Sequence, residues 1–206
     1  MPESKTQDGF EVHLATNHIG HFLLFDLLRD ALEKGAAASA DFASRVVVLS
    51  SSAHRMCKGL RFDDLNFKVA PYDKWAYAQS TLANIHFAAE LEQRFATKGV
   101  HALSVHPGSI ATALQKYIKD DPVFMAAKED AAYTAQLKSV AQGAATSAWA
   151  AVARELEGKG GVYCEDTAEA SKGQGPIYKG GYSNIAYDEL AARSLWDVSI
   201  EMVRRK

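Results

Sequence analysis

Only two of the 206 residues are cysteine, Cys57 and Cys164. Two thiols do not make a disulfide framework, so a reduced, cytoplasmic setting is the default. No apolar run approaches the roughly 20 residues needed to span a bilayer. The start, Met1-Pro2-Glu3-Ser4-Lys5, lacks the apolar core of a signal peptide. Neither charge dominates: 23 Lys and Arg against 25 Asp and Glu leave a net charge of -2. That balance gives no reason to expect nucleic acid or an anionic membrane as a partner. His18 and His21 lie one turn apart, but no third ligand accompanies them, so no metal site is expected. There is no internal repeat, and the Ala36–Ala40 run reads as a loop or frayed helix end.

What is present suits one domain over residues 1–206, with an ordinary 48% of apolar residues. Asp8 and Glu11 have capping-box spacing, which predicts a helix start. An apolar face then runs to about Leu32, and Gly35 is placed to end that helix. Val46-Val47-Val48-Leu49 has no polar alternation, the pattern of a strand covered on both faces in a parallel sheet. It ends in Ser50-Ser51-Ser52. An amphipathic run follows from Trp75 to Phe95, closed by Lys98-Gly99. Val100–Val105 reads as a second buried strand, ending in the turn signal His106-Pro107-Gly108. Ile110–Ala135 reads as a helical lobe, Ala144–Leu156 as a helix closed by Gly158, Gly161-Val162-Tyr163 as a third strand and Tyr187–Val203 as a last helix.

Strand and helix alternate, so the class is α/β with a parallel sheet. Ligands in such sheets bind outside the carboxyl ends of the strands. Both polar loops, Ser50-Ser51-Ser52 and His106-Pro107-Gly108, fall there. The stretch Tyr77–Asn84 opens the central helix, with Tyr77 and Thr81 on one face. A tyrosine on an apolar helix is, by itself, most often a core or interface residue. A serine run is most often a loop or a cap.

Five short motifs in order change that reading. They are Asn17-His18-Ile19-Gly20-His21-Phe22, Val48-Leu49-Ser50-Ser51-Ser52-Ala53-His54, Tyr77-Ala78-Gln79-Ser80 with Leu82-Ala83-Asn84, His106-Pro107-Gly108 with Thr112, and Gly161-Val162-Tyr163. Together they resemble the short-chain dehydrogenase/reductase family, in its retinol-dehydrogenase and WW-domain-oxidoreductase-like branch. The resemblance implies a Rossmann-type, doubly wound parallel sheet and NAD(P)-dependent oxidation or reduction of a small apolar alcohol or ketone. Secondary-metabolite or lipid metabolism would suit such an enzyme. It further implies that Tyr77 transfers the proton, Ser51 hydrogen-bonds the substrate oxygen and Asn17 helps hold a relay water. Pro107, Gly108 and Thr112 would hold the nicotinamide. Family members commonly dimerise through two long helices, here 11–32 and 75–95.

Two departures bear on activity. The family motif is Tyr-x-x-x-Lys, and here the lysine position holds Thr81. A nearby cation lowers a phenol pKa by roughly one to three units, which a neutral hydroxyl cannot do. The family also begins with a Gly-rich phosphate loop, yet no Gly-x-x-x-Gly-x-Gly occurs here. The resemblance therefore implies a truncated member lacking the N-terminal nucleotide-binding half, on the order of 90 residues at about 30 per βαβ unit. Two rivals to a dehydrogenase stay open. One is a cofactor-independent isomerase, dehydratase or cyclase using Ser51 and Tyr77. The other is a non-catalytic protein that binds a partner chain.

Overall fold

The computed structural model describes residues 3–73, 75–117 and 119–204. Met1 and Pro2, part of the polar start noted above, lie outside them. The first helical stretch has three parts: α1 (Val12–Leu14), a π-helical segment (Ala15–Ile19) and α2 (Gly20–Ala38). Glu11 caps it, not Asp8, because the Glu11 carboxylate accepts the His13 and Leu14 backbone N–H groups. Gly35 does not end it. The helix runs on to Ala38, and extended Ser39 is the cap.

Strand β1 (Ser44–Leu49) follows, then helix α3 (Trp75–Phe95) and strand β2 (Val100–His106). Between α3 and β2, Gly99 adopts φ +75°, the left-handed turn expected of a glycine past a helix end. Short strands β3 (Ser109–Ile110) and β4 (Leu137–Lys138) pair with each other. Between them lie a 3-10 turn (Ala113–Tyr117) and helices α4 (Pro122–Glu129) and α5 (Ala131–Thr134). Helix α6 spans Val140–Val152, four residues earlier than its expected start at Ala144, because Ser139 and Gln142 form a capping box. Strands β5 (Tyr163–Glu165) and β6 (Ala168–Glu169) and helix α7 (Glu189–Arg204) complete the fold.

The main sheet has the order β1-β2-β5-β6. The first three strands are parallel and β6 turns back antiparallel. Side chains alternate to its two faces. Val46, Val48, Val100 and Ala102 meet α2, α3 and α7 through Phe22, Phe25, Phe87, Phe95 and Trp196. Val47, Leu103, Val105 and Cys164 meet α6 through Ala150. This is the three-layered, doubly wound arrangement expected. Strand β2 is buried along its whole length, as a central strand should be. Strand β1 pairs only with β2 among the described residues, so its other edge is open and Leu49 is 54% exposed.

Candidate active site

The carboxyl ends of β1 and β2 lie side by side, with Leu49 opposite Val105. Ser50-Ser51-Ser52 and His106-Pro107-Gly108 therefore leave the sheet next to one another, as the strand pattern predicts. Three hydrogen bonds fix α3 against this edge. Asn84 Nδ2 donates to the Leu49 carbonyl at 2.7 Å, and Ser50 Oγ to the Thr81 carbonyl at 2.8 Å. From the π segment, Asn17 Nδ2 donates to Ser80 Oγ at 2.9 Å. Ser80 in turn donates to the Tyr77 carbonyl. Asn17, the Ser51 strand end and the Tyr77 turn are thus tied into one polar junction.

Ser51 is half-buried, in extended conformation, and its Oγ accepts the Ala53 N–H at 3.2 Å. The oxygen caps the 3-10 turn Ser52–Met56. Among the described residues, no protein acceptor takes its hydroxyl proton, so that proton is available to a ligand oxygen. Tyr77 is half-buried at the start of α3. Thr81 is buried, and its hydroxyl donates to the Ala78 carbonyl of its own helix at 2.9 Å. Its proton is spent on the backbone, and the neutral hydroxyl supplies no charge.

His54, part of the Ser51 motif but given no role from sequence, is fully buried beneath the site. Its Nδ1 donates to the Ser51 carbonyl at 2.6 Å and its Nε2 accepts the Ser183 N–H at 3.1 Å. Both nitrogens are committed to the neutral ring, and burial pushes its pKa down to about 4. His106 is likewise held at about 4, first by burial and then by Lys138 and His54. Neither ring is placed to serve as a base near neutral pH.

The Gly-rich segment 172–187 is a pinned strap. Arg55 donates to the Gly175, Pro176 and Gly180 carbonyls. The Glu165 carboxylate accepts the Gly181 N–H through both oxygens. Gly173, Gly180 and Gly181 lie so close to Arg55, Glu165 and one another that a Cβ would collide. No periodicity announces this, because the partners are backbone carbonyls far apart in sequence.

The nicotinamide-side residues are less complete. Gly108 has φ +88°, and a Cβ there would meet the Lys138 side chain at 2.7–2.8 Å. Lys138, ion-paired with Asp166, lies over the face of Gly108. Pro107 precedes this turn, and Thr112 is exposed, its Oγ accepting the Leu114 N–H. Among the described residues, Thr81 is thus turned inward and the Lys138 side chain lies against Gly108. His18 and His21 also diverge: His18 Nε2 bonds Ser199 Oγ in the core, while exposed His21 bonds the Asn17 carbonyl.

No protein-family model matches the chain. The chain is 41% identical, over 209 residues, to "Short-chain dehydrogenase/reductase prx1" of Penicillium roqueforti, covering 98% of this chain and 58% of that protein. Over nearly its whole length the chain is thus similar to proteins named short-chain dehydrogenase/reductase. It is also 36% identical over 202 residues to retinol dehydrogenase 14 of Homo sapiens, covering 98% of this chain and 55% of that one. Among solved structures, an uncharacterised protein from Mycobacterium Paratuberculosis superposes with a TM-score of 0.61 at 26% identity, covering 99% of this chain and 63% of that one. The chain thus spans between half and two thirds of the length of these relatives.

Proposed function

We propose that Ser51 and Tyr77 handle the oxygen of a small apolar alcohol or ketone, as the carbonyl-handling part of a short-chain dehydrogenase/reductase site. The observation that carries this is the free hydroxyl proton of Ser51, at a strand end tied to the Tyr77 helix. An oxygen that gains negative charge needs a positioned donor and a hydrogen-bond partner. Tyr77 supplies the proton, Ser51 the hydrogen bond, and Asn17 holds the turn between them through Ser80. In the family NAD(P) supplies the hydride. Among the described residues the resemblance leaves Pro107, Gly108 and Thr112 to contact it, with the Lys138 side chain lying against Gly108 and the Thr81 hydroxyl bound to its own helix. The two free, buried thiols Cys57 and Cys164 suit a cytoplasmic setting.

The misfit with a dinucleotide favours a second reading, a cofactor-independent isomerase, dehydratase or cyclase that uses the same two hydroxyls. One experiment separates them. The 206-residue chain, and a fusion carrying the Gly-rich N-terminal segment of a relative ahead of Met1, are assayed with ketones with and without NADPH. The first reading expects turnover only in the fusion with NADPH, and a loss of about a hundredfold or more in Tyr77→Phe. Ser51→Ala weakens the rate by less. Turnover without NADPH selects the second reading, and a Tyr77→Phe fusion as fast as its parent contradicts both.

A further inference from the structure

Ser51 is held through its carbonyl as well as its side chain. The carbonyl accepts two hydrogen bonds from one residue, the His54 backbone N–H at 3.1 Å and the His54 ring Nδ1–H at 2.6 Å. The Ala53 N–H donates to Ser51 Oγ and leaves the hydroxyl proton free. Both polar atoms of Ser51 are therefore fixed from the turn that follows it. The shorter of the two carbonyl bonds comes from a side chain, so it depends on where that ring is held.

The His54 ring is buried, with Tyr163 packed edge-to-face on it at 5.0 Å between centroids. A neutral imidazole has one N–H and one lone pair. A carbonyl only accepts, so Nδ1 carries the hydrogen and Nε2 the lone pair. Nε2 accepts the Ser183 N–H at 3.1 Å. The tautomer that serves Ser51 is thus the one that Ser183 requires, and one ring joins the strand-end turn to the strap. The strap is held along its length. Arg55 donates to three of its carbonyls, and the His86 ring of α3 donates to the Ile185 carbonyl at 2.8 Å. Tyr178 donates to Asp130, the N-cap of α5, at 2.9 Å. The strap therefore connects the lobe between β3 and β4 to the turn after Ser51. Among the described residues, the His54 ring is the one side chain that bonds both the strap and Ser51.

We propose that His54 is the positioning residue of Ser51, and that through its ring the 172–187 strap sets where the free Ser51 hydroxyl lies. A ligand that shifts the strap, or the α5 cap bound to it, shifts Ser51 as well. The consequence for turnover rests on Ser51 handling the substrate oxygen, whereas the coupling between strap and Ser51 is read without substrate.

The test is NMR and amide hydrogen exchange on the 206-residue chain labelled with nitrogen-15. In the parent chain His54 should carry its hydrogen on Nδ1, and the Ala53 N–H should be protected. Ser183→Pro removes the N–H that Nε2 accepts, and the backbone there, φ −85° and ψ 159°, suits proline. It should mix the two ring tautomers and speed Ala53 exchange by up to about tenfold, the size of one hydrogen bond. Ser183→Ala keeps that N–H and should change neither. Two further variants guard against a proline that does not fold. His54→Gln can still accept at the Nε2 position, so it should free the Ala53 N–H while the Gly181 N–H stays protected. His54→Asn can still donate at the Nδ1 position and should do the reverse. A ring hydrogen on Nε2 in the parent chain, or an Ala53 N–H indifferent to both Ser183→Pro and His54→Gln, overturns the inference. Turnover of the fusion separates it from the role given to Ser51. Ser183→Pro should slow the parent fusion and leave a Ser51→Ala fusion as it was, and equal slowing of both sinks the strap's hold on Ser51. A Ser51→Ala fusion as fast as its parent sinks the oxygen-handling role and leaves the coupling standing.

Discussion

Acid should unfold this chain well above the range where its carboxylates protonate, because it buries histidines as neutral rings. His18, His54 and His106 are each pushed by burial from 6.5 to about 4. His18 shows why. Ser199 Oγ spends its only proton on the Leu195 carbonyl, so His18 Nε2–H must donate to Ser199. A second proton would have to enter at buried Nδ1. The sign follows from proton counting. Between pH 6.5 and 4 the unfolded chain binds more protons than the folded one, so stability falls as pH falls. At pH 5 each histidine has cost roughly 2 kcal/mol. Three of them approach the whole stability of an ordinary domain, about 5–15 kcal/mol. Carboxylates held low, such as Glu11, contribute only below about pH 4.5. Urea unfolding followed by circular dichroism at pH 7.5, 6 and 5 measures the slope. His18→Gln should flatten it by about a third, whatever it costs at pH 7.5. Equal stability at pH 7.5 and 5 in the parent chain would refute the reasoning.

The open edge of β1 and exposed Leu49 form an aggregation template, so the isolated chain should self-associate. A monodisperse monomer in light scattering, with two-state unfolding, would count decisively against this. The two long helices offered as a dimer interface are not equivalent. Phe87 on α3 is 3% exposed and packs on Phe22, Phe25 and Trp196, whereas Leu27 on α2 is 73% exposed with Leu24 at 53% beside it. Phe87→Ala should therefore cost about 3–5 kcal/mol of fold stability. Leu27→Asp should leave the fold intact and dissociate any dimer that uses α2, and an unchanged sedimentation profile would remove that interface.

Much of the fold was legible because burial on both faces leaves a plain mark. Val100–Val105 reads as a covered strand and is buried throughout, and the Trp75–Phe95 helix has the bounds its pattern gave, whereas in Val46–Leu49, also read as covered, only Val48 is buried and Leu49 is exposed. Helix ends were harder. Glu11 replaced Asp8 as cap and Gly35 lies inside its helix, since side-chain capping competes locally with any glycine or acidic residue nearby. The positions of Ser51 and Tyr77, at a strand end and a helix start, followed from the pattern, while the roles given to them came from the family resemblance. His54, Arg55 and Lys138 could not be placed, because their partners are mostly distant in sequence and mostly backbone. Dimerisation through α3 illustrates the same limit: an apolar helix face does not say whether its partner is another molecule or α7.

The central proposal is that Ser51 and Tyr77 handle a carbonyl oxygen and that residues 1–206, taken alone, hold a dinucleotide only weakly. Calorimetric titration of the 206-residue chain with NADPH and NADH tests it most directly. Pro107, Gly108 and Thr112 alone amount to a fragment-sized contact, expected near millimolar, about 4 kcal/mol, against about 8 kcal/mol for micromolar binding. Lysine at position 81 should not by itself rescue it, because residues 1–206 contain no Gly-x-x-x-Gly-x-Gly turn to receive the pyrophosphate. The account predicts no heat of binding and no thermal stabilisation at micromolar nucleotide. Micromolar binding, with melting temperature rising as nucleotide saturates the chain, would contradict it.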